Sequence, residues 1–223
     1  GMSFGALSSP AVRALSKGAK LAGCWMNTGE GGLSPYHLEG GADIVFQIGT
    51  AKYGVRDEQG NLSTEKLKAV AAHPTVKMFE LKMSQGAKPG KGGMLPGRKV
   101  NAEIAKIRGI PEGQDSISPN GHPEIKNPND ILDMLTTIRS TTGKPTGFKA
   151  VIGEHAWLES LFAEINHRGI ESAPDFITID SADGGTGAAP QSLLDSVGLP
   201  LKESLPLVIQ LLKKHGLRER VKI

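Results

Sequence analysis

Three cations, Lys82, Lys88 and Arg108, stand in one stretch of the chain. A dicarboxylate needs two cationic clamps, one of them able to be a bidentate arginine. The same three residues also read as a basic surface loop, and their types and spacing alone favour that plainer reading. Lys91, Arg98 and Lys99 in the same segment read as solvated charge. Lys149 differs, because it sits between Phe148 and Ala150 inside an apolar run. Unpaired lysines are seldom buried, so this placement favours an inward, functional role. Glycines cluster at 29–32, 86–97 and 184–187. Successive glycines can turn several backbone N–H groups toward one anion, or can simply make a tight strand-to-helix turn. Glu30, flanked by glycines, reads equally as an exposed turn residue or as an acid near a site.

The elements that must hold these residues alternate. Strands are expected at 2–5, 24–28, 44–48, 76–82, 146–151, 175–181 and 220–223. Between them apolar residues recur at helical spacing. One helix follows Ser9-Pro10 over 10–22, another covers 62–72, and a short one covers 102–108. A fourth runs from Asn129 to Gly143, a fifth passes through Leu158 to Ile165, and a sixth passes through Leu205 to Leu212. Short apolar strands between amphipathic helices predict a parallel sheet. Nearly every strand ends in a polar or glycine-rich motif. That favours a (β/α)8 barrel, whose chemistry sits on loops at one face, over a doubly wound sheet with one switch point. The segment 83–128 is long for a loop in a compact domain, and such length usually serves function.

Composition narrows the classes. With 38% hydrophobic and 22% charged residues a packed core is expected. Aromatics at 4% argue against a stacking platform for single-stranded nucleic acid. A net charge of +3 is too small to imply a nucleic-acid or membrane partner. The lone cysteine, Cys24, excludes an intrachain disulfide and reads as a small buried residue in a reducing, cytoplasmic compartment. The six histidines show no metal spacing, and no Ser-His-Asp set can be argued. No run of about 18 apolar residues appears.

Six motifs in order resemble the FMN-binding synthase domain of the glutamate synthase family, and especially its shorter members. They are Met2-Ser3-Phe4-Gly5, Asn27-Thr28-Gly29-Glu30-Gly31-Gly32, Lys82-Met83-Ser84-Gln85-Gly86-Ala87-Lys88-Pro89-Gly90, Leu95-Pro96-Gly97, Ile117-Ser118-Pro119 and Asp183-Gly184-Gly185-Thr186-Gly187-Ala188. The resemblance implies one FMN-binding barrel domain over 1–223, with about seven of eight strands and a C-terminal truncation. It implies FMN contacts from Met2, Ser3, Gln47, Lys149, Ser181, Gly184, Gly185 and Thr186. A cation near the flavin's pyrimidine edge would favour the anionic reduced cofactor. It implies that Lys88 and Arg108 bind 2-oxoglutarate and that Lys82 and Glu30 are catalytic. The implied reaction is reductive amination to L-glutamate with ammonia or a glutamine-derived nitrogen.

The family's three-cysteine iron–sulfur motif lies outside this chain, so no electron donor can be assigned. The larger members begin with an amidotransferase domain whose nucleophile is an N-terminal cysteine, whereas Gly1 opens this chain, so no glutaminase activity is expected. An unclosed barrel would expose strand edges, which predicts poor stability without self-association or the missing segment. Two rival readings stand beside this one: a barrel acting on another oxo acid or a nucleotide, and a catalytically silent structural piece. Purine-nucleotide dehydrogenases of this fold need a cysteine loop that Cys24 does not supply.

Overall fold

The computed structural model describes residues 1–85, 87–183, 189–194 and 196–223. Gly184, Gly185 and Thr186, expected at the cofactor, lie outside the described residues.

Five strands, β1 (Met26–Asn27), β2 (Ile44–Ile48), β3 (Val76–Lys82), β6 (Thr146–Val151) and β7 (Ile177–Asp180), form one sheet in the order β1-β2-β3-β6-β7. Met26 pairs with Ile44 and Phe148 with Ile177, both in parallel register. Phe79 N–H bonds to Pro145 O and Met83 N–H to Lys149 O, so both chains advance together there as well. The order follows the sequence without the reversal that defines a doubly wound sheet. Helix α1 (Ser9–Leu21) precedes the first strand, and α2 (Pro35–Glu39), α3 (Thr64–Ala71), α5 (Pro128–Thr142), α6 (Ala156–Arg168) and α7 (Leu201–Lys214) lie between or after the strands. This is the winding of an incomplete (β/α)8 barrel.

The expected outer strands are reduced to single contacts. Residues 2–5 supply one ladder bond, Met2 N–H to Asn27 O at 3.0 Å. Residues 220–223 supply a parallel bridge between Lys222 and Phe176. Between β3 and β6 runs the long excursion. It folds into an antiparallel pair, β4 (Met94–Leu95) with β5 (Ser116–Ile117), and helix α4 (Ala102–Arg108).

The described chain divides into two compact units. The first comprises Gly1–Glu80, Gly93–Pro119 and Ile138–Pro145. Its local signals are strong: Ser63 accepts from Lys66 N–H at the start of α3, and Asn101 from Ile104 N–H at the start of α4. One face of β2 and β3 is apolar, with Phe46 against Phe79 at 5.8 Å. Phe4, Val12, Met26, Leu95, Val100 and Ile104 close a second cluster. Burying each such side chain is worth roughly 1.5–3 kcal/mol.

The second unit comprises Leu81–Gly92, Asn120–Thr137 and Thr146–Ile223. Leu158, Leu161, Phe162 and Ile165 of α6 are fully buried, as are Val208 and Leu212 of α7. Phe148 meets Trp157 edge-on at 6.2 Å. Alternation along β6 therefore turns Lys149 to the opposite face.

Cys24 corrects the sequence reading. It is exposed, and so is Trp25, because β1 begins only at Met26 and the two residues belong to the turn leaving α1. Among the described residues no helix is long and apolar enough to cross a membrane.

Candidate functional site

Arg108 organises the first unit's polar centre. It ends α4, where Gly109 takes over in the left-handed conformation at φ 70°. Ile104 and Ala105 are buried on the preceding turn, which carries Arg108 inward to 5% exposure. Its Nη1 donates to Ser116 Oγ at 2.9 Å, and Ser116 Oγ donates to Tyr53 OH at 2.8 Å. Nη2 donates to Phe4 O at 3.3 Å, and the guanidinium lies 5.0 Å from the Tyr53 ring centre. Ser116 faces inward because the β4–β5 register pairs it with buried Leu95, while Met94 and Ile117 face out. Nε is buried with no hydrogen-bond partner among the described residues. Burial pulls the guanidinium's pKa down, and the charges of Tyr53 and Glu30 pull it back up. Arginine nonetheless stays protonated.

Glu30 is half-buried on the glycine-rich loop after β1. A side chain at Gly49 would lie 2.6 Å from Glu30 Oε2, so the bare end of β2 is what admits this carboxylate. The first unit thus brings Glu30 and Arg108 into electrostatic contact.

A second polar set lies across the first three strands. Glu80 Oε1 accepts from Asn27 Nδ2 at 2.8 Å and from Gln47 Nε2 at 2.6 Å. Gln47 N–H donates to Thr28 Oγ1 at 3.0 Å. The Gln47 carboxamide oxygen takes no hydrogen bond among the described residues. Beside this set runs the start of the chain. Ser3 N–H takes none among the described residues either, while Ser3 O accepts from Leu7 N–H at 2.9 Å.

The second unit holds the two lysines. Lys82 ends β3, and its Nζ donates to Gln85 Oε1 at 3.2 Å. Lys88 is buried, and its N–H donates to Gln85 O at 3.2 Å, so one loop carries both cations. His122 Nε2 bonds to Lys82 O at 3.0 Å, which anchors the strand end. Lys91, Arg98 and Lys99 are exposed, as their reading as solvated charge expects.

Lys149 Nζ pairs with Asp180 Oδ2 at 3.2 Å, with the lysine side chain 16% exposed. The carboxylate on the adjacent strand is what makes an inward lysine tolerable there. Ser181 is engaged within its own loop. Its hydroxyl meets the Asp183 carboxylate and accepts from Leu201 N–H at 2.9 Å.

Tyr53, Ser116, Asn27 and Glu80 were not legible as site residues. Asn27 and Glu80 carry the signal that singles out Lys149, a polar residue inside a strand. Tyr53 and Ser116 carry none, since only the fold brings them to Arg108.

The match to known sequences follows this geometry. Residues 1–223 match the family model described as a conserved region in glutamate synthase. The chain is 49% identical over 223 residues to the glutamate synthase large subunit-like protein YerD of Bacillus subtilis (strain 168), covering 100% of this chain and 42% of that protein. It is 36% identical over 234 residues to the archaeal glutamate synthase (NADPH) of Methanocaldococcus jannaschii, covering 100% of this chain and 40% of that one. A glutamate synthase large subunit-like protein of Rhizobium meliloti is 31% identical over 225 residues, with 100% and 46% covered. The chain spans less than half the length of these curated relatives. With the family model matched over all of its residues, the chain belongs to the glutamate synthase family.

Proposed function

We propose that the chain acts as one FMN-binding domain of an oxidoreductase that reductively aminates 2-oxoglutarate to L-glutamate, in the cytoplasm. The observation that carries this reading is Arg108: a buried, stacked guanidinium whose Nε has no partner among the described residues. A buried donor without an acceptor is costly, and a carboxylate supplies the acceptor and the opposite charge.

In this reading Arg108 holds a carboxylate of the oxo acid, and Lys88 is the further substrate contact that the family resemblance implies. Glu30 keeps the guanidinium charged and oriented. Lys82, at the end of β3, polarises the keto or imino carbon's heteroatom and supplies its proton. The overall change consumes 2-oxoglutarate, ammonia or a glutamine-derived nitrogen, two electrons and two protons, and releases water. FMN, when bound, supplies the two-electron chemistry. The donor set suits it: Ser3 N–H and the Gln47 carboxamide are available to the ring's polar edge, and Lys149 brings a cation. Ser181 and the glycine loop at 184–186 complete the proposed cofactor contacts. The name of the Methanocaldococcus relative gives NADPH as that protein's reductant, and we carry it over as the source of electrons.

Calorimetric titration of 2-oxoglutarate into the protein tests the reading. Arg108→Lys is expected to weaken binding about 10- to 100-fold, because lysine cannot replace a stacked, forked donor. Unchanged affinity would remove Arg108 from the substrate.

A further inference from the structure

We infer that His37 is a positioning residue: it fixes the Met2–Ser3 peptide and so aims the Ser3 N–H at the proposed flavin. This rests on the FMN reading above. His37 is fully buried on α2, a helix of five residues that the sequence reading did not anticipate. Its Nδ1 accepts from Ser34 N–H at 3.1 Å and lies 2.7 Å from Ser34 Oγ. Its Nε2 lies 2.7 Å from Met2 O. A backbone N–H can only donate and a carbonyl can only accept. Both bonds are made only when Nδ1 is bare and Nε2 carries the proton.

That bond acts at a distance through the planarity of the peptide. No peptide bond among the described residues is cis. In a trans peptide the carbonyl and the following N–H point in opposite directions. Pinning Met2 O on His37 therefore directs Ser3 N–H away from His37. That N–H has no partner among the described residues. Several neighbouring groups of the segment are taken. Met2 N–H bonds to Asn27 O at 3.0 Å, and Phe4 O accepts from Arg108 at 3.3 Å. Ser3 also lies close against two glycines: a side-chain carbon at Gly29 would come within 2.6 Å of its N, and one at Gly31 within 2.4 Å of its Oγ. A flavin acceptor atom is the chemistry such a single aimed donor recognises.

Ser34 Oγ caps α2 by accepting from His37 N–H, and the imidazole completes the cap by accepting from Ser34 N–H, so a purely structural role must be separated from the tether. The side chains of Asn and Gln do this. Asn places a polar group where Nδ1 stands, and Gln places a donor where Nε2 stands. FMN binding to the 223-residue chain is measured by fluorescence quenching, with amide hydrogen exchange of the N-terminal peptide alongside. His37→Asn is expected to weaken FMN about tenfold and to speed exchange at Met2, whose N–H bonds to Asn27 O, while His37→Gln stays within about twofold of wild type. Wild-type affinity in His37→Asn, or equal loss in the two variants, overturns the inference. If His37→Asn does not fold, His37→Gln decides alone: retained affinity supports the tether, and lost affinity overturns it. A wild type that fails to bind FMN overturns the flavin reading instead, and unchanged exchange in His37→Asn then overturns the tether by itself.

Discussion

Taking a guanidinium out of water costs several kcal/mol unless its donors meet acceptors. Arg108 meets Ser116 and Phe4 and rests on Tyr53, so its charge is held in a fixed plane before any ligand arrives. Removing the hydroxyl that sets that plane should matter less than removing the charge. Ser116→Ala is expected to raise the Michaelis constant for 2-oxoglutarate about threefold, the worth of one ordinary hydrogen bond. An effect as large as that of Arg108→Lys would mean that Ser116 touches the substrate itself. His37 gives a prediction in pH. Burial lowers its pKa from the ordinary 6.5, so the folded state keeps it neutral where the unfolded state takes up a proton. Below about pH 6.5 the unfolded chain binds more protons, and stability must fall on acidification. Denaturant melts of wild type and His37→Gln between neutral and mildly acid pH check this. The variant should lose less stability than wild type over that range, and parallel losses would exclude His37 as the cause.

Elements carry the site through backbone approach. Gly29 sits at φ 64° with Ser3 against it, so Gly29→Ala meets both a strained backbone and a clash. The expected loss is more than about 1 kcal/mol in a denaturant melt, together with weakened FMN binding. At Gly147 on β6 the φ is ordinary, but a side-chain carbon would lie 2.2 Å from Phe176 O. Gly147→Ala should therefore destabilise the β6–β7 pair and leave affinity for 2-oxoglutarate largely in place. Much of this level was legible in the sequence. Ser9-Pro10, Asn129 and Gly143 mark helix ends within a residue or two of α1 and α5. What escaped was short or non-local. Helix α2 spans five residues, too few for a periodic signal, and β4 and β5 are two residues each and exist only because they pair. Tyr53 reaches Ser116 across 63 positions, a contact that no local pattern encodes.

At the scale of the molecule, the sequential order of the five sheet strands belongs to a barrel wound in one direction. Family membership fits this architecture, since the model of the conserved glutamate synthase region covers residues 1–223. In the proposed function, labour divides along the chain: strand ends serve the flavin, and residues of the excursion and of the β3 loop serve the oxo acid. Whether these two sets serve one reaction is tested by anaerobic mixing of the FMN-loaded, photoreduced protein with 2-oxoglutarate and ammonium. The visible absorption of oxidised flavin is expected to return as L-glutamate forms, and Arg108→Lys is expected to slow the return at low 2-oxoglutarate. Flavin that stays reduced under those conditions, or that reoxidises equally with monocarboxylic oxo acids, would contradict it.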